Sequence, residues 1–80
     1  MTKKLRNPGS KAAVSPSLTP REREVLAWVA KGKSAWETGK ILHIAKRTVD
    51  EHTQTAARKL GAANRTQAVA LALLLRLIEP

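Results

Sequence analysis

The chain has 80 residues, with 15 Lys and Arg against six Asp and Glu, a formal net charge of +9 at pH 7, and no cysteine. That length holds one domain, the lack of cysteine excludes a disulfide scaffold or a thiolate metal site, and the charge favours a polyanionic partner. Phe and Tyr are both absent, which argues against the aromatic base stacking used by single-strand nucleic-acid binders.

Residues 1–17, MTKKLRNPGSKAAVSPS, carry few large apolar side chains and read as a disordered basic arm. Lys3, Lys4, Arg6 and Lys11 meet no acid there. No apolar run follows these cations, so no secretory signal is expected. Residues 18–80 are left as the folding unit, with 11 basic and six acidic residues. A domain this small has a marginal core and gains from a partner.

The first helix opens at Thr19-Pro20-Arg21-Glu22. The Thr hydroxyl can accept from a free N–H, Glu can reach back to the cap, and Pro sits where no donor is needed. Leu18 is expected to staple onto the Arg23 stem or Val25. Val25, Leu26 and Val29 form the inward face, Trp28 flanks it, and Gly32 supplies the left-handed stop.

Ser34-Ala35-Trp36-Glu37 starts a second helix with another capping box. Gly39 costs about 1 kcal/mol in helix propensity relative to Ala, and its missing side chain leaves room for the next helix to approach. A turn follows at His43-Ile44-Ala45, with Ile44 as a buried plug and His43 in a left-handed conformation that histidine visits more than most residues. The third helix, Lys46 to Leu60, turns Val49, Thr53, Ala56, Ala57 and Leu60 inward at helical spacing. Gly61 ends it, with Arg58 and Lys59 in the last turn complementing the helix dipole. The second and third helices form a helix-turn-helix, whose expected buried face is Trp36, Ile41, Leu42, Ile44, Val49, Thr53, Ala56 and Leu60.

Asn64 caps a fourth helix, with Gln67 three residues on. The apolar run Ala68 to Leu75 is far shorter than the roughly 20 residues that span a membrane, so a soluble chain is expected. Val69, Ala72 and Leu73 are predicted to meet the first and third helices. Leu71, Leu74, Leu75 and Ile78 are left needing another cover, and a second copy of the same helix meets that need. The fold class is all-α, a four-helix bundle with a central helix-turn-helix.

The sequence resembles the DNA-binding domain of LuxR-type transcription regulators. The matching residues are Leu18 through Leu26, Gly32-Lys33-Ser34, Ile41-Leu42, Thr48-Val49 with His52, Lys59-Leu60-Gly61, and Asn64-Arg65-Thr66. Lys33 through Glu37 resemble the quorum-sensing branch. The resemblance implies a cytoplasmic bacterial transcription regulator whose third helix reads DNA and whose fourth makes the dimer contact. It commonly implies a sensory domain ahead of this one. Three positions depart from the family pattern: His43 replaces the turn glycine, Ala45 replaces the Ser that caps the reader helix, and Asp50 replaces a basic residue.

In a helix-turn-helix the second helix enters the major groove. Lys46, Arg47 and Thr48 are placed for phosphates or nearby bases, with free N–H groups beside them. Gln54 suits adenine, or can donate to guanine acceptors, and Glu51 suits cytosine. Thr55 shares the outward face, and Arg58 suits a phosphate. Asp50 is read as a selector against phosphate approach, or as the partner of Arg47 or Arg58. The expected partners are double-stranded DNA, a second copy, and RNA polymerase or a related regulator. The alternative is a protein-interaction module that heterodimerises with a full-length LuxR-type regulator. His43 and His52 have no converging nucleophile or carboxylate, so neither an enzyme, a metal nor a cofactor is expected.

Overall fold

The computed structural model describes residues 17–80. Apart from Ser17, the expected basic arm lies outside the described residues. Four helices follow in order: α1 (Pro20–Ala30), α2 (Ala35–Leu42), α3 (Lys46–Leu60) and α4 (Arg65–Leu74).

Local chemistry sets their starts. At α1, Thr19 Oγ1 accepts from the Glu22 N–H at 3.1 Å and Glu22 Oε1 accepts from the Thr19 N–H at 2.9 Å. Ser34 and Glu37 repeat the arrangement at α2, at 3.0 and 2.8 Å. Asn64 caps the Gln67 N–H at 2.8 Å, while the Gln67 side chain reaches Ala63 rather than the cap itself. Only α3 starts without a side-chain cap, because Ala45 has no oxygen to offer.

All four helices stop in the same way. The residues past their ends, Gly32, His43, Gly61 and Arg76, have φ of 89°, 61°, 69° and 59°. After each, the next N–H returns to a carbonyl inside the helix: Lys33 to Trp28, Ile44 to Gly39, Ala62 to Ala57 and Leu77 to Ala72. Such closure satisfies carbonyls that would otherwise be orphaned. Glycine enters this region freely, whereas His43 and Arg76 bring a Cβ into it at a cost of about 1 kcal/mol each.

Two small cores share α1 and α3. Val25, Ala35 and Val49 form one, with Val29, Leu42 and Ile44 around them. Leu18, Leu26, Ala56, Ala68, Ala72 and Ile78 form the other. Adjacent residues of α1, Val25 and Leu26, thus face different cores, as do Val49 and Ala56 of α3. The third helix is therefore anchored on both sides along its inner face.

Three packing expectations are corrected. Trp36 is 59% exposed and Ile41 38% exposed; α2 buries Ala35, Thr38 and Gly39 instead. These positions, with Leu42, follow a helical stripe that Trp36 and Ile41 flank on either side. Small residues make that stripe, so α3 can come close. Leu18 packs in the core of Leu26 and Ala56, not against Val25. Ile78 is only 6% exposed and belongs to the same core, because the turn at Arg76 folds the chain back after α4. It is not a surface for a second copy. Thr38 is fully buried, and its hydroxyl finds no partner among the described residues.

Gly39 is where the closest approach occurs. A Cβ there would lie 2.6 Å from the Ile44 carbonyl oxygen and 3.4 Å from the Lys46 nitrogen. Both are backbone atoms that cannot rotate away. Gly39→Ala, which gains about 1 kcal/mol in an unconstrained helix, is expected to lose about 1–3 kcal/mol here. Urea unfolding reads the sign directly, and a stabilised variant would contradict this packing.

A charged tie joins α1 to α3. Lys59 Nζ lies 2.9 Å from Glu22 Oε1 and donates to the Ser17 carbonyl at 3.2 Å. Glu22 is only 4% exposed. Burial raises its carboxyl pKa, but the Lys59 hydrogen bond, the Thr19 N–H and the Lys59 charge together hold it below the ordinary value. A lowered folded pKa gives stability that is complete above the unfolded value, about 4.3. That stability is lost as pH falls through the folded value. Lys59→Met should therefore cost about 2 kcal/mol at pH 7, less than for a fully buried pair because Lys59 keeps solvent contact. The difference from wild type should shrink by pH 3 in parallel urea titrations. An equal loss at both pH values would remove Glu22 as its cause.

Candidate nucleic-acid interface

The outer face of α3 is the most functionalised surface of the helix-turn-helix. Helical spacing places Arg47, Glu51, Gln54 and Arg58 outward, and all four are exposed, as is Lys46; Thr48 and Thr55 are half-buried. Beneath them Val49, Thr53 and Ala56 are buried. The Thr53 hydroxyl donates to the Val49 carbonyl at 2.9 Å, so it needs no outside partner. The face is thus polar outside and tightly seated inside.

The acids on this face are paired. Asp50 accepts from Lys46 at 2.8 Å, and Glu51 lies 3.7 Å from Arg47. Lys46, rather than the expected Arg47 or Arg58, is the partner of Asp50. Each pair puts the base one turn before the acid, the weaker order on a helix. Exposed pairs of this kind contribute only a few tenths of a kcal/mol, so a phosphate can displace the carboxylates cheaply. Arg58 donates to Thr55 Oγ1 at 3.5 Å, a long bond that leaves most of the guanidinium unused.

The missing cap has a chemical counterpart. Without a side-chain acceptor at Ala45, no cap occupies the first-turn N–H groups of α3. Losing a cap costs on the order of 1 kcal/mol, but it leaves the first turn without a side-chain acceptor, a condition that suits an anion. At the neighbouring turn His43 adopts the left-handed conformation with its side chain exposed. His52 is half-buried. Among the described residues no group of three His, Cys, Asp or Glu side chains is arranged to hold a metal ion. No helix among them is long and apolar enough to cross a membrane.

Leu74 and Leu75, expected at a dimer contact, are 77% and 46% exposed. Leu71 is half-buried. On α2, Trp36 lies beneath Lys40, whose Nζ is 4.6 Å from the ring centroid, a contact worth about 0.5–1 kcal/mol at such exposure.

Residues 16–72 match the bacterial regulatory proteins of the luxR family. The chain belongs to that family. This LuxR-type chain is 65% identical over 66 residues to the transcriptional activator protein BjaR1 of Bradyrhizobium diazoefficiens, covering 82% of this chain and 27% of that protein. It therefore spans about a quarter of that relative's length. The structure of the transcription factor GerE superposes with a TM-score of 0.75 at 32% identity, covering 78% of this chain and 92% of GerE. The Vibrio cholerae VqmA dimer gives a TM-score of 0.76 at 29% identity, covering 88% of this chain and 33% of that one.

Local sequence signals place Lys59 at the helix dipole and Glu22 at its cap, but not against each other. Their contact joins residues 37 positions apart, and nothing local announces it. Arg65, at the opening of α4, is exposed and lines one groove with Arg58.

Proposed function

We propose that this LuxR-family chain is the DNA-binding unit of a cytoplasmic bacterial transcription regulator, and that α3 enters the major groove. Lys46, Arg47 and Thr48, with the uncapped N–H groups, take backbone phosphates, which position the helix without reading sequence. Glu51, Gln54 and Thr55 face base edges, with Gln54 suited to adenine and Glu51 to cytosine N4. Arg58 takes a phosphate. The observation that carries this reading is the α3 face itself. Its first turn is open to anions, its middle carries exposed hydrogen-bonding groups, and its inner side is fixed to two cores. No catalytic step is assigned to any of these residues.

Asp50 and Glu51 act as selectors. A correctly spaced phosphate displaces them from Lys46 and Arg47, while a poorly placed duplex meets two carboxylates. A second copy covers Leu71, Leu74 and Leu75, and the pair reads two half-sites about 10 bp apart. RNA polymerase or a related regulator is the protein partner of the assembled dimer.

Selection of duplexes from a random pool tests the reading. Gln54→Ala should change the preferred sequence. Arg58→Ala should weaken every duplex alike and reduce the salt slope by about 1. Identical selections from both variants and wild type would overturn the assignment.

The dimer is tested separately by sedimentation. The wild-type chain should pass from monomer to dimer as concentration rises, and Leu74→Glu should stay monomeric. A wild type that remains monomeric at millimolar concentration would remove the α4 contact and leave the fold untouched.

A further inference from the structure

The C-terminal half of α3 and the first turn of α4 enclose a groove of about 330 Å³, lined by Thr53, Gln54, Ala57, Arg58, Asn64 and Arg65 among others. Thr53 and Ala57 are small and inward, while Gln54, Arg58, Asn64 and Arg65 are exposed around them. The groove is open to solvent, so an oxyanion can reach it from outside. None of the lining residues is acidic, whereas two other surface grooves of similar size both include Glu79.

The charges are also differently committed. Lys46, Arg47 and Lys59 are each paired with a carboxylate. Among the described residues neither Arg58 nor Arg65 has such a partner. At the start of α4, Asn64 takes the Gln67 N–H and Gln67 takes the Ala63 N–H, so the Arg65 and Thr66 N–H groups are not used by either cap. Two guanidinium groups without a carboxylate partner thus line one acid-free groove at the start of α4. Gln54 and Arg58 belong both to the outer face of α3 and to the groove, so a duplex docked on that face brings its bounding strand to the groove's mouth.

We propose that this groove is a second phosphate site, in which Arg65 and Arg58 clamp one backbone phosphate of the strand bordering the major groove. The proposal rests on the reading of α3 as the DNA reader and extends its footprint onto α4. Arg65 carries no sequence information in this role. It fixes how far α3 slides along the groove, because α4 and α3 are packed into one core.

The test uses the 80-residue chain, a duplex selected by the wild type from a random pool, and a mixed-sequence duplex of equal length. Affinity is measured from 50 to 300 mM salt for wild type, Arg65→Ala and Arg65→Lys. Loss of one phosphate contact lowers the slope of log K against log salt by about 0.9, which is roughly eightfold in affinity at 0.1 M relative to a 1 M reference. Arg65→Ala should show that change on both duplexes, with the selected sequence and the thermal midpoint unaltered. Arg65→Lys should restore most of the slope. A wild-type slope in Arg65→Ala, with wild-type selectivity retained, overturns the second site and leaves the α3 reading in place. A wild-type chain that selects no sequence overturns the α3 reading itself.

Discussion

The close approach at Gly39 is the constraint on which the domain depends. Only the absence of a side chain lets the Ile44 carbonyl and the Lys46 nitrogen come so near to α2. That approach sets the angle at which α3 leaves the turn, and hence which of its residues face outward. It also explains why α2 packs through Ala35, Thr38 and Gly39 rather than through its two largest apolar side chains. Bulk on that stripe would push the reader helix away from the body that holds it rigid.

Once α3 is seated, its electrostatics divide along its length. The first turn and a half is internally compensated, with two base–acid pairs that are weak and exposed. The middle and end carry Gln54 and Arg58, whose polar groups are largely uncommitted. Lys59, the next residue round the helix, is tied to the fold through Glu22. One helix of 15 residues therefore carries paired charges, uncommitted polar groups and a structural anchor at successive positions.

Helix positions were largely legible in the sequence, because their signals are local. The two capping boxes, the stops at Gly32 and Gly61, and the left-handed His43 all rest on residues within a few positions of one another. The buried face of α2 was misread because size was taken as the guide to burial, and here small residues carry the contact. Ile78 was misplaced because nothing near Arg76 signals that a non-glycine residue turns the chain back. The outward set on α3 follows from helical spacing alone. The Lys59–Glu22 tie and the groove beside Arg65 depend on how distant segments meet, which spacing does not encode.

Lys59 also grips the Ser17 carbonyl. Ser17, the first described residue, is therefore moored at the last turn of α3, roughly 20 Å along its axis from the first turn. Because both contacts run through one ammonium, replacing Lys59 would release Ser17 and the start of α1 together from the last turn of α3.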